Sequence, residues 1–128
     1  MKRNTLLVIT SLVSLVLLTV HLADDVVRGM FPTGIGILYA SVASGLLLYG
    51  ILAHGERLGG VLTMLIVSLC AIAMPVLHTR GKGVSISAFT PGGFFFVWTI
   101  LVLGMLGLFS FILSVRALWS LRSVPPRE

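Results

Sequence analysis

The chain has 128 residues, of which nine are Lys or Arg and four are Asp or Glu; 57% are hydrophobic and the mean hydropathy is +1.11. About a quarter of the residues of a soluble domain carry charge, and the 10% found here excludes a water-soluble globule. Four charge-free runs, 4–23, 29–55, 58–79 and 83–115, take up all but 26 residues, and each reaches the ~20 residues that carry a helix across a ~30 Å hydrocarbon core.

The first helix is predicted at 6–23, ending at the acidic pair Asp24-Asp25. Met1-Lys2-Arg3 before a leucine-rich run also fits a signal peptide. Cleavage before Asp24 would put His21 where a small residue is wanted, so an uncleaved first span is expected. Gly29, Pro32 and Gly34 then break the chain. The second helix is predicted at 34–53. His54-Gly55-Glu56-Arg57 is too short for anything but a hairpin between antiparallel neighbours. The third helix covers 59–77, with Pro75 bending its last turn. Residues 78–93 form the one sizeable loop, rich in Gly and Ser. Within it, Val84-Ser85-Ile86-Ser87-Ala88-Phe89 alternates apolar with polar, as an extended segment or an interfacial dip would. The fourth helix is predicted at 94–115, followed by a basic tail, 116–128.

The net charge of +5 does not mark a nucleic-acid binder, because the nine basic residues are scattered between apolar spans and form no basic face. They orient the spans instead and meet lipid headgroups. With both termini inside, Lys2, Arg3, Arg57, Arg116, Arg122 and Arg127 lie on the cytoplasmic side, against Arg28, Arg80 and Lys82 outside. Cys70 is the only cysteine, which excludes an intramolecular disulfide, a CxxC redox pair and a cysteine zinc cluster.

Small residues mark packing faces: Gly36, Ala40 and Ser44 on one row of the second helix with Ser41 and Gly45 beside it, Gly107, Ser110 and Ser114 on the fourth, and Gly60 and Ala71 on the third. Residues of this size four apart let helices approach closely in lipid. A self-packing four-helix bundle accounts for them, and a homodimer face is the alternative. Tyr39, Tyr49, Phe94, Phe95, Phe96, Trp98 and Trp119 are read as anchors at the membrane boundary. Trp98 and Trp119 are 21 residues apart, about 31 Å along a helix.

One constellation can carry chemistry. Thr10, Ser14, His21, Asp25 and Arg28 fall within roughly 60° of one another on a helical wheel. His21 and Asp25, four apart, can meet each other or one ligand. His78 lies at the same expected depth, with Asp24, Arg28, Arg80 and Lys82 around that level. Two imidazoles and a carboxylate (His21, His78, Asp25) are a ligand set for zinc or non-haem iron and also a proton-transfer set. Two His at one depth on two helices could also hold a single haem b. The opposing reading is structural: charges at a membrane edge that cap helices and pin a loop. His54, Glu56 and Arg57 are read as turn chemistry. A small multidrug exporter is disfavoured, because the first helix has Ser14 and Leu15 at mid-depth where such proteins carry a carboxylate. Gly34-Ile35-Gly36 precedes a membrane span and is no phosphate loop.

The run His21-Leu22-Ala23-Asp24-Asp25-Val26-Val27-Arg28-Gly29, taken with Gly93-Phe94-Phe95-Phe96-Val97-Trp98-Thr99, resembles small four-helix bacterial integral membrane proteins over most of the chain. That resemblance implies a class and carries no activity. The expectation is therefore an all-α membrane protein: four transmembrane helices in an up-down antiparallel bundle, N-in and C-in, in the bacterial cytoplasmic (inner) membrane. Its expected role is non-catalytic, as an accessory or partner-binding protein that needs no cofactor and sits in the bilayer as a homo-oligomer or in a larger complex. The alternative is a metal- or haem-binding redox or enzymatic protein built on the extracytoplasmic His/Asp cluster.

Overall fold

The computed structural model describes residues 5–29, 34–80 and 91–122. They form four helices: α1 Thr5–Val27, α2 Ile35–His54, α3 Leu58–Arg80 and α4 Pro91–Arg122. Three stretches, Thr5–Val27, Leu58–His78 and Pro91–Leu121, are long and apolar enough to cross a membrane, and α2 adds a shorter apolar segment, Ala40–His54.

The helices overrun the expected boundaries because charge alone does not stop a helix. α1 continues one turn past Ala23, through Asp24 and Asp25, and ends where the backbone turns left-handed. Gly29 has φ +70°, and its N–H donates to the Val26 carbonyl at 3.0 Å. Glycine takes this conformation without a Cβ penalty, which makes it a common helix terminator. α4 starts three residues early on Pro91, whose fixed φ and missing N–H suit a first helical position. It also runs through Arg116, which is exposed. α3 continues past Pro75 to Arg80. His78 therefore stands on a helix, where a loop position was expected. The middle of that expected loop, 81–90, lies outside the described residues and includes Lys82 and the 84–89 segment.

Glycines set the close approaches. A Cβ on Gly107 would stand 2.7 Å from Ala71 Cβ and 3.0 Å from the Ser68 carbonyl oxygen, and one on Gly104 would stand 2.6 Å from Pro75 Cγ. The pairs 71/107 and 75/104 run in opposite chain directions along α3 and α4, whose contact is the most extensive in the molecule. Between α2 and α3, a Cβ on Gly50 would meet the Thr63 side chain, and one on Gly60 would collide with the His54 carbonyl. The chain can fold straight back at 55–57 only because residue 60 lacks a side chain.

α1 packs against the other three helices, whereas α2 touches α1 and α3 but makes no contact with α4 among the described residues. Two apolar layers result. One gathers Leu7, Leu15, Ile51, Val61, Met64, Val67 and Ala117; the other gathers Leu18, Ala71 and Leu103. The expected small-residue faces divide accordingly. Gly107, Ser110 and Ser114 are buried. Ala40 and Ser44 border a groove against Thr19, Leu22, Ala23 and Val26 of α1. Gly45 points outward, with nothing within 4 Å of where a Cβ would stand, and Gly36 is outside the positions whose surroundings are described.

Candidate functional site

Beyond the Leu18 layer, towards the C-terminal ends of α1 and α3 and the start of α4, the interior turns polar. The buried face of α1 carries Thr10, Ser11, Ser14, His21 and Asp25 between its leucines: four members of the stripe expected from the helical wheel, with Ser11 added and Arg28 left half-buried beyond it. His21 is wholly buried and Asp25 is 5% exposed. α3 brings His78 to the same level. The two rings meet edge to face, with centroids 4.8 Å apart. Asp25 Oδ2 lies 3.7 Å from His21 Nε2 and 3.4 Å from His78 Nε2.

The acidic pair is split between two tasks. Asp24 accepts a 2.8 Å hydrogen bond from Arg28 Nε. The Arg28 guanidinium also donates to the Gly92 carbonyl at 2.7 Å and lies over the Phe96 ring, 4.8 Å from its centroid. Arg28 thus clamps the end of α1 to the start of α4, which is the structural role weighed for this edge, while Asp25 is left to the histidines. Arg80 is the last residue of α3, and its side chain, like Lys82, is outside the described set.

Phe96 was expected among the boundary aromatics and proves to be the floor of the cluster. It is 1% exposed and packs against His21 at 5.1 Å and His78 at 5.3 Å between centroids. Its neighbours in the Phe triplet, Phe94 and Phe95, are exposed, as are Trp98 and Trp119. The signal that separates them is the helical row Phe96, Thr99, Ile100, Leu103, Gly107, Ser110, Ser114 and Ala117, every member of which is buried.

The hydrogen bonding in the cluster is lopsided. His78 Nδ1 lies 2.9 Å from the Met74 carbonyl oxygen. A carbonyl only accepts, so Nδ1 carries a proton; Nε2 presents a lone pair in the neutral ring and donates in the imidazolium. Nε2 faces the Asp25 carboxylate at 3.4 Å. Neither ring nitrogen of His21 has a hydrogen-bond partner among the described residues, and neither does Asp25 Oδ1. Leaving buried polar atoms in this state costs about 1–3 kcal/mol each. The serine hydroxyls of Ser11, Ser14, Ser110 and Ser114 are likewise buried and unpartnered. They are set apart from the histidines by the Leu18–Ala71–Leu103 layer.

Three ligand atoms, one each from His21, Asp25 and His78, lie within 4.8 Å of one another, a spacing suited to a single ion. A haem held by both histidines would need its ring between the two imidazoles. These are already in contact, and both rest on Phe96. In comparisons with protein families, curated proteins and solved structures, nothing matches this chain.

Proposed function

We propose that the chain is a multi-pass protein of the bacterial cytoplasmic membrane, an up-down bundle with both termini inside, and that it serves as a non-catalytic binding protein. Its ligand site is the His21–Asp25–His78 cluster near the extracytoplasmic end. The observation that carries this reading is the convergence of two imidazoles and one carboxylate in the interior: Asp25 Oδ2 lies 3.4 Å from His78 Nε2 and 3.7 Å from His21 Nε2, while the other nitrogen of His78 is committed to Met74. Such an arrangement is completed by a cation or a proton donor. Ionisable groups at membrane depth mark functional sites more often than structural ones. The accessory role adds a partner, and the face available to one is that of α2, where only Gly50 and Ile51 are buried among the positions described.

Asp25→Asn tests the site against a structural ion pair. An asparagine amide can donate where the carboxylate could not, so in chelator-treated protein the variant unfolds in detergent at the same temperature as wild type or higher. A structural imidazolium–carboxylate pair predicts the opposite. Breaking such a buried pair costs roughly 3–5 kcal/mol, and the midpoint would fall by many degrees.

A further inference from the structure

The same cluster says which ligand it is built for. We infer that His21, Asp25 and His78 bind one divalent first-row transition-metal ion of the zinc class, with Nε2 of each histidine and Oδ2 of Asp25 as the donors. This rests on the reading of the cluster as a ligand site.

Three features carry the assignment. The first is spacing. Zinc bonds imidazole nitrogen at ~2.0–2.1 Å and carboxylate oxygen at ~2.0–2.2 Å, so neighbouring donors on a tetrahedron stand roughly 3.3–3.5 Å apart. The Asp25 oxygen stands 3.4 Å from one Nε2 and 3.7 Å from the other, and all three donor atoms lie within 4.8 Å. Small rotations about the side-chain bonds bring a common centre within reach. The second is the tautomer. A histidine that ligates a metal commonly donates its other N–H to a backbone carbonyl or carboxylate, which fixes the ring and makes the free nitrogen a better donor. His78 does this through Met74. The third is donor chemistry. Two neutral nitrogens and one anionic oxygen suit zinc, ferrous iron and their neighbours. Calcium and magnesium prefer all-oxygen shells. Three protein donors also leave a tetrahedral ion one open position, the arrangement of a site that exchanges a ligand.

Charge sharpens the point. Asp25 is the one carboxylate turned to the imidazoles, because Asp24 is taken by Arg28. A divalent ion on this set leaves a local charge of +1 in the interior. Arg28, which lies on the same Phe96 ring as the imidazoles, is itself paired with Asp24 and bonded to Gly92.

The test uses the full chain, without a polyhistidine tag, purified in detergent, stripped with chelator and titrated with Zn(II). Co(II) serves as an absorption probe of coordination. The expected result is one ion per chain, with a tetrahedral or five-coordinate Co(II) spectrum. Affinity should fall at least tenfold in His21→Ala, Asp25→Asn and His78→Ala, and stay within twofold in His54→Ala. X-ray absorption on zinc-loaded wild type needs no variant, and nitrogen and oxygen scatterers without sulfur are expected. Zinc binding that His54→Ala weakens as much as His21→Ala, sulfur scattering from Cys70, or no binding by folded wild type would each overturn the metal assignment. Absence of binding in a protein whose Asp25→Asn variant keeps or gains thermal stability would leave the ligand site standing and remove only the metal.

Discussion

Arg28 is where the geometry of the site is held without belonging to it. Its side chain is 23% exposed and that of Asp24 is 21% exposed, so the pair is partly screened, and the ion pair alone contributes at most about 1 kcal/mol. Its worth lies in the planar fork. Nε serves Asp24 on its own helix, a terminal nitrogen reaches the Gly92 carbonyl on α4, and the face of the group covers Phe96. Lysine has the charge but a single donor centre, and cannot hold both partners and stack at once. Arg28→Lys is therefore expected to cost about 1 kcal/mol, read as a lower thermal midpoint in detergent. It should also weaken Zn(II) affinity several-fold, because Phe96, which supports both imidazoles, loses its cover. Equal stability and affinity in Arg28→Lys would mean that the positive charge suffices and that the fork is incidental.

At the scale of helices, two glycines that look alike in the sequence have opposite surroundings. Gly107 is pressed against Ala71 and the backbone of α3, whereas nothing stands near Gly45. Alanine at 107 must push two helix backbones apart, and overpacking of this kind costs roughly 1–3 kcal/mol. Alanine at 45 meets no atom and removes a flexible residue from a helix, a gain of about 0.5–1 kcal/mol. The expected outcome is a lower midpoint for Gly107→Ala and a slightly higher one for Gly45→Ala. A loss in Gly45→Ala would instead show that another helix covers that face in the membrane. The pair also shows what could be read beforehand. Four helices, three of them long and apolar enough to cross a membrane, and most of the polar face of α1 were legible because they depend on composition and on the 3.6-residue period of one helix. The ends of α1 and α4 were not, since Gly29 and Pro91 decide them and the charged residues do not. Nor was the choice of Gly107 over Gly45, or of Phe96 over Phe94 and Phe95, because each depends on which neighbour a face meets. His21 and His78 were expected at one depth. Their contact, and the division of Asp24 from Asp25, needed the crossing of three helices.

For the molecule as a whole, the open matter is the compartment from which the site loads. With both termini in the cytoplasm, six Lys or Arg residues lie inside and three outside, and such a bias in short flanking segments sets orientation. The cluster sits at the C-terminal ends of α1 and α3, opposite the His54–Arg57 hairpin, so in this orientation it faces the outside. Cysteine labelling checks the arrangement in a Cys70→Ala background. A membrane-impermeant maleimide should modify Val27→Cys, whose position is exposed at the end of α1, in intact spheroplasts and Glu56→Cys only after lysis. The metal gives a second view of the same geometry. An impermeant chelator added to intact spheroplasts should strip zinc from the wild type, because the Asp25 and His78 side chains, 7% and 15% exposed, are the buried chain's opening towards that face. Labelling of Glu56→Cys in intact spheroplasts, with protection of Val27→Cys, would invert the bundle. The same site would then draw its ion from the cytoplasm, where cellular thiols compete for it, and a site of three donors without a thiolate would need higher affinity to stay loaded. The orientation measurement therefore also bounds the affinity that the titration must find.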